Sequence, residues 1–215
     1  MGDQPRSFLP AAGHDWLLAL YDPLLRLLGA DSARRDLVAQ AEIRRGCRIL
    51  DIGCGTGSLV ALIARARPDT EVIGLDPDPK ALARAERKVG RAAASTRFDR
   101  GFSDELPYPP GAFDRVFSSF MLHHLGSDEK HRTLKEVARV LAPNGSFHAL
   151  DFVGAQPHSE GLLARWLHSR DHLRDNRAGG LLALMRETGF ADAREVDQRA
   201  TILGRVAFYR ASAPA

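Results

Sequence analysis

The spacing of apolar residues changes repeatedly along the chain. Short β-branched and apolar runs end at Gly, Asp or Pro, and stretches with apolar residues three and four apart follow them. The runs predict strands at Arg48–Ile52, Glu71–Leu75, Thr96–Phe102, Phe113–Ser119, Ser146–Phe152, Ala193–Arg199 and Ile202–Tyr209. The helical stretches are Ser58–Ala66, Pro79–Ala93, Asp128–Leu141 and Gly179–Thr188. Pro79 suits a first helical turn, where its missing N–H costs nothing, and Asp128 is placed to cap its helix. Pro143-Asn144-Gly145 reads as a turn and Gly189 as a helix stop.

Strands that alternate with helices pair in parallel through right-handed crossovers. The expected fold is α/β: a three-layer sandwich around a seven-stranded, mostly parallel sheet. The last two strands are separated by little more than Ala200-Thr201, so they form a hairpin that adds an antiparallel strand. Residues 46–215 make up this domain. Residues 1–45 form a helical cover, with an amphipathic helix at Trp16–Leu28 and another around Ser32–Ile43. Residues 153–178 carry Trp166, His158, His168 and His172 but no strand pattern, and read as a helical insertion. Both are candidate covers on the substrate side, or helices that simply finish the core.

Composition then narrows the classes. The chain has 215 residues, 44% apolar and 27% charged, enough for a core without a metal or disulfide staple. No apolar run approaches the roughly 18 residues of a membrane span. The first residues lack the apolar stretch of a secretory leader, so a cytoplasmic protein with no membrane span is expected. Cys47 and Cys54 lie at either end of one predicted strand and are expected as reduced thiols. The net charge of +3 and pI of about 9.1 hint at nucleic acid. The excess is small and the arginines scattered, and the Arg84/Arg87/Lys88/Arg91 face reads as one solvated side of a helix. No nucleic-acid partner is expected, and a homodimer stays open.

The most informative stretch is Ile49-Leu50-Asp51-Ile52-Gly53-Cys54-Gly55-Thr56-Gly57. A buried strand runs into glycines at alternate positions and a helix follows. Glycine permits positive φ and lets a ligand reach the backbone. The dinucleotide fingerprint spaces its glycines G-x-G-x-x-G and seats a pyrophosphate. Here an acid, Asp51, precedes Gly-x-Gly-x-Gly, which disfavours a pyrophosphate and favours a ligand bearing an ammonium group. A second strand ends in Asp76, 19 residues after Gly57, near the spacing expected for an acid that grips ribose hydroxyls. A carboxylate accepts two hydrogen bonds, which matches a vicinal diol. The bland reading of Asp76 is a cap for the helix starting near Pro79.

With these residues in place, the chain resembles the class I S-adenosylmethionine-dependent methyltransferases. Within them it is similar to the small-molecule branch related to ubiquinone/menaquinone-biosynthesis methyltransferases. The resemblance rests on LDIGCGTG (50–57), VIGLDPDPKALARA (72–85), DELPYPPGAFDRVFSSFMLHHL (104–125) and LKEVARVLAPNGSFHALDF (134–152), with Tyr21-Asp22-Pro23 ahead of them. It implies a Rossmann-like sheet, S-adenosyl-L-methionine as cofactor and S-adenosyl-L-homocysteine as product. It further implies that Gly53, Cys54, Gly55 and Gly57 lie against the methionine part, with Asp51 near its amino group. Asp76 would hold the ribose, Pro77 and Ser103 would border adenine, and Ser119 would offer a carbonyl to the methionine amino group. Many relatives carry Asp after the glycine matching Gly101; Phe102 stands here, so adenine would be held by stacking and backbone bonds.

Methyl transfer to a small organic acceptor asks the protein mainly to fix distance and angle; a base helps when the acceptor is a hydroxyl, phenol or acidic carbon. His124 and His123 follow the fourth strand on the binding edge and are the candidate bases, His124 favoured for contact. His148 lies within a strand and reads as structural. No nucleophile elbow is present, and two cysteines give no metal site. Two other readings stay open: a non-catalytic S-adenosylmethionine-binding regulatory or scaffold module, and an NAD(P)-dependent oxidoreductase.

Overall fold

The computed structural model describes residues 30–90, 95–153, 179–201 and 204–214. Five helices and seven strands run as α1 (Ala30–Gln40), β1 (Arg48–Ile52), α2 (Ser58–Ala66), β2 (Glu71–Asp76), α3 (Pro79–Val89), β3 (Thr96–Arg100), β4 (Phe113–Ser119), α4 (Ser127–Val140), β5 (Leu141–Phe152), α5 (Gly180–Glu187), β6 (Ala191–Thr201) and β7 (Gly204–Ser212). One sheet holds all seven strands in the order β3-β2-β1-β4-β5-β7-β6. The pairings from β3 across to β5 are parallel; β7 runs antiparallel between β5 and β6.

Each central strand is apolar on both faces, as a sheet covered on two sides requires. Leu50, Ile52, Val116, Phe147 and Ala149 point to the face covered by α4 and α5. Ile49, Val72, Phe117, Leu150 and Phe208 point to the face covered by α1, α2 and α3. Side chains alternate along a strand, so Asp51 faces the α1 side with Ile49. His148, opposite Phe147 and Ala149, lies under the same helix: its Nδ1 is 3.4 Å from Gln40 Nε2 and its ring stacks on Phe117.

Several boundaries move for identifiable reasons. Helix α3 stops at Val89 rather than Ala93 because Gly90, at φ +66, turns the chain out of the helix. Its start is as expected, with Pro79 in the first turn and Asp78 accepting the Lys80 N–H at 2.8 Å. Helix α4 begins at Ser127, so Asp128 is not its cap; Gly126 holds that place and Glu129 Oε2 accepts the Gly126 N–H at 3.1 Å. Strand β5 begins at Leu141, and Pro143-Asn144-Gly145 is a bulge inside it: Leu141 pairs with Phe113 and Ser146 with Arg115. Strand β3 ends at Arg100, short of Phe102. Strand β6 continues through Thr201, which pairs with Gly204, so Ala200-Thr201 belong to the strand rather than to the connection. Gly189 does follow α5 in a left-handed conformation, φ +94.

Cys47 and Cys54 are both buried free thiols. Among the described residues no helix is long and apolar enough to cross a membrane. The expected helix Trp16–Leu28, Tyr21-Asp22-Pro23 and the insertion with Trp166, His158, His168 and His172 lie outside the described residues.

Candidate active site

The strand order reverses between β1 and β4, and open α/β sheets bind ligands at such a switch point, beyond the carboxyl ends of the strands. A crevice lies there. Its floor is the loop after β1, from Gly53 to Thr56. Asp76 and Pro77 at the end of β2, and Gly101 to Asp104 after β3, form one end. Ser119, Met121 and His124 after β4 form the other, with Arg34 reaching in from α1 and Glu129 and Thr133 from α4.

The loop is shaped by positive φ at Gly53, Gly55 and Gly57: +64, +53 and +72. At Gly57 the need for glycine is also steric, since a Cβ would stand 2.7 Å from the Ala85 Cβ. At Gly55 a Cβ would meet nothing within 4 Å, so its backbone is open to the crevice. The Gly55 N–H donates to Asp76 Oδ2 at 2.8 Å and the Asp78 N–H to Asp76 Oδ1 at 2.9 Å. Two backbone bonds therefore fix the Asp76 carboxylate beside the loop. Burial outweighs these two bonds and raises its pKa. Lys88 of α3 holds the loop from behind, its Nζ 2.9 Å from Thr56 Oγ1 and 2.8 Å from Ser58 Oγ. That face of α3 is thus not wholly solvated: Arg87 is exposed, but Lys88 turns in to the loop.

Asp51 lies beneath the loop, 1% exposed, and does not line the crevice. Neither of its carboxylate oxygens has a hydrogen-bond partner. Burial pushes its pKa up to about 8, with Asp76 adding to the rise and Arg34 opposing it. Arg34 is also buried, 8% exposed, with Nε unpartnered and Nη1 3.3 Å from Asp31.

After β4 the chain turns sharply. Phe120 is left-handed, φ +56, and donates its N–H to Leu150 O at 2.8 Å. A short 3₁₀ turn, Leu122–His124, follows. It separates the two histidines. His124 faces the crevice; His123 is buried behind it, their ring centroids 4.0 Å apart. His123 Nδ1 is 2.6 Å from Asp151 Oδ1, and the His123 backbone N–H donates to Asp151 Oδ2 at 3.0 Å. Burial would raise the Asp151 pKa, but the His123 ring and the Phe152 N–H overcome it and hold the carboxyl below its usual value; the charge of His124 adds to this.

Of the residues picked from sequence, Gly53, Cys54, Gly55 and Asp76 line the crevice, as do Pro77, Phe102, Ser103, Ser119 and His124. Asp51, Gly57 and His123 do not line it. Sequence reasoning missed Arg34, Met121 and Asp151. Asp151 ends a strand as Asp76 does, a usable signal. Arg34 sits among scattered arginines, and nothing in the sequence separates it from them. Ser103 Oγ is 2.9 Å from Thr133 Oγ1, which ties the loop after β3 to α4.

Residues 49–145 match the family described as a methyltransferase domain. The demethylmenaquinone methyltransferase of Thermus thermophilus is 39% identical over 148 residues, covering 67% of this chain and 66% of that protein. Among solved structures, a methyltransferase in complex with the Haloferax volcanii Trm112 activator superposes with TM-score 0.74 at 18% identity, over 94% of this chain and 97% of that one. Phosphoethanolamine N-methyltransferase 2 of Haemonchus contortus, with S-adenosyl-L-methionine, gives 0.72 at 18% identity, over 86% and 53%. The chain spans 66%, 58% and 54% of the length of three demethylmenaquinone methyltransferases that it matches.

Proposed function

Because the chain belongs to the class I S-adenosylmethionine-dependent methyltransferases, we propose that it methylates a small organic acceptor held beyond the β4 end of the crevice. The carrying observation is the Gly55–Asp76 contact: an open glycine backbone beside a fixed carboxylate. That arrangement fits a nucleoside, because each oxygen of Asp76 accepts one backbone N–H and keeps a lone pair for a ribose hydroxyl. The orphaned oxygens of Asp51 under the loop fit a cation above them. When bound, the cofactor supplies an electrophilic methyl on a sulfonium, whose departure leaves a neutral thioether.

The chain's own residues then have three tasks. Asp76 and the loop hold the nucleoside, with Phe102 and Ser103 on the far side of Pro77. The turn Phe120–His124 sets the position of the acceptor's reacting atom, and a fixed approach is worth about 7–11 kcal/mol of barrier. His124 takes the proton from a hydroxyl, phenol or acidic carbon. His123, locked by Asp151 through ring and backbone, packs against His124 and orients it.

The relatives' name makes demethylmenaquinone the first acceptor to try. Incubation with S-adenosylmethionine labelled in the methyl group should transfer label to the acceptor. His124→Gln should cut turnover by about 10²–10⁴ for an acceptor that must lose a proton, while calorimetry shows S-adenosylhomocysteine bound as before. Unaltered turnover would remove His124 from the chemistry. Binding of S-adenosylhomocysteine with no turnover on any acceptor would favour the non-catalytic module.

A further inference from the structure

We propose that Glu129 of α4 selects the nucleobase, its carboxylate accepting the exocyclic amino group of adenine. The inference rests on reading the crevice as the S-adenosylmethionine site. It assigns a function to a helix residue that the loops at the strand ends do not supply.

Helix α4 is fastened in register to the loop after β3. Thr133 Oγ1 lies 2.9 Å from Ser103 Oγ, and Arg132 Nη2 lies 3.1 Å from Asp104 Oδ2. One turn on, Glu136 Oε2 accepts the Leu106 N–H at 2.8 Å. Arg139 donates to the carbonyl of Leu106 at 3.0 Å and to that of Tyr108 at 2.7 Å. Helix and loop therefore run side by side in the same direction. Residues three and four apart share a helix face. Glu129 heads this same stripe, four residues and about 6 Å before Thr133. That brings it level with Gly101 and Phe102, the residues just ahead of Ser103, and all of them line the crevice.

The base of adenosine has one N–H donor, the exocyclic amino group, on the edge remote from the ribose. A nucleoside held by its ribose at Asp76, with its base between Pro77 and Phe102, turns that edge toward α4. The Phe102 side chain offers the base a ring and no acceptor. Three carboxyl groups line the crevice: Asp76, Asp104 and Glu129. Asp76 stands at the ribose, and Asp104 is held by Arg132. Glu129 is half-buried, and its Oε2 accepts the Gly126 N–H at 3.1 Å, which fixes the carboxylate. Its Oε1 makes no hydrogen bond among the described residues. A fixed acceptor inside a crevice favours a ligand that donates there and disfavours one that presents a carbonyl.

The test compares bases as well as variants. The probes are S-adenosylhomocysteine, its analogue with hydrogen at C6 of the purine, and S-inosylhomocysteine, which has a carbonyl there. Calorimetric titration of the wild type should show S-adenosylhomocysteine bound about ten- to a hundredfold tighter than either analogue. Glu129→Gln can keep its oxygen on the Gly126 N–H and turn its NH2 to the base. It should weaken S-adenosylhomocysteine by about the same factor, leave the C6-hydrogen analogue unchanged and tighten S-inosylhomocysteine. Glu129→Ala should show the same loss without the gain for S-inosylhomocysteine. The wild-type comparison stands even if both variants fail to fold. Equal wild-type affinity for S-adenosylhomocysteine and the C6-hydrogen analogue would overturn the assignment. So would equal weakening of all three ligands in a folded variant. If acceptor KM alone rises in Glu129→Gln, the carboxylate belongs to the acceptor and the assignment to the base fails. Failure of the wild type to bind any of the three would instead overturn the reading of the crevice itself.

Discussion

At the scale of single residues, two aspartates at neighbouring strand ends have opposite fates. Asp76 is at the crevice and satisfied by the N–H groups of Gly55 and Asp78. Asp51 is under it and satisfied by nothing. Asp76→Ala should weaken S-adenosylhomocysteine binding by about 1.5–3 kcal/mol, roughly ten- to a hundredfold, in a calorimetric titration. Asp51 carries a pH consequence. Its folded pKa, about 8, lies above the ordinary carboxyl value of 3.8. The folded state then binds the proton more tightly than the unfolded chain. The resulting stability is complete below pH 3.8, falls as pH rises, and is gone above about 8. Asp51→Asn keeps the shape and removes the ionisation. The ligand-free variant should be more stable than wild type toward denaturant at pH 8–9, and should bind S-adenosylhomocysteine less tightly. Such an exchange of stability for function is usual where a buried charge waits for its ligand.

Among elements, the junctions hold the site together. The loop after β1 is tied to the end of β2 by Asp76 and to α3 by Lys88. Lys88→Met keeps the aliphatic stem and drops both hydroxyl contacts. It should cost about 1.5–3 kcal/mol, the range for hydrogen bonds to a charged group. At about 2–4 °C per kcal/mol for a domain of this size, calorimetry should show Tm lower by roughly 3–12 °C. On the other side, the turn after β4 keeps Phe120 left-handed, a conformation that costs of order 1–3 kcal/mol for a residue with a side chain. The Leu150 carbonyl and the Asp151 carboxylate of β5 hold that turn, so β5 positions His124 without touching the crevice.

For the whole molecule, the sheet order places the ends of β1 to β4 and one residue of α1 around a single crevice. Ligand binding there should stabilise the fold as a unit. At a hundred times its dissociation constant, S-adenosylhomocysteine contributes about 2.7 kcal/mol. That raises Tm by roughly 5–11 °C. NAD(P)H at the same concentration should leave Tm unchanged, since the glycine spacing and the acids beside it do not suit a pyrophosphate. A rise with NAD(P)H and none with S-adenosylhomocysteine would restore the oxidoreductase reading.

Much of this was legible in residue order. Period-two and period-3.6 patterns found β1, β4 and α2 to the residue, because apolar burial on both sheet faces leaves a strong signal. The glycine loop and Asp76 were legible too, because backbone geometry and an acid at a strand end are local features. Boundaries such as the end of α3 at Gly90 and the bulge in β5 were not, since they depend on which neighbouring backbone is available for pairing. The sequence favours His124 over His123 for contact, and tertiary structure supplied the reason, a 3₁₀ turn after β4 that sets His124 on the crevice and His123 behind it. Tertiary structure alone decided that Asp151 clamps His123, and that Arg34, one arginine among many, is buried beside Asp51. Those facts come from residues far apart in sequence that meet only when α1 covers β1 and β5 flanks β4. Periodicity says which face of an element is buried; it carries no record of what lies on the other side.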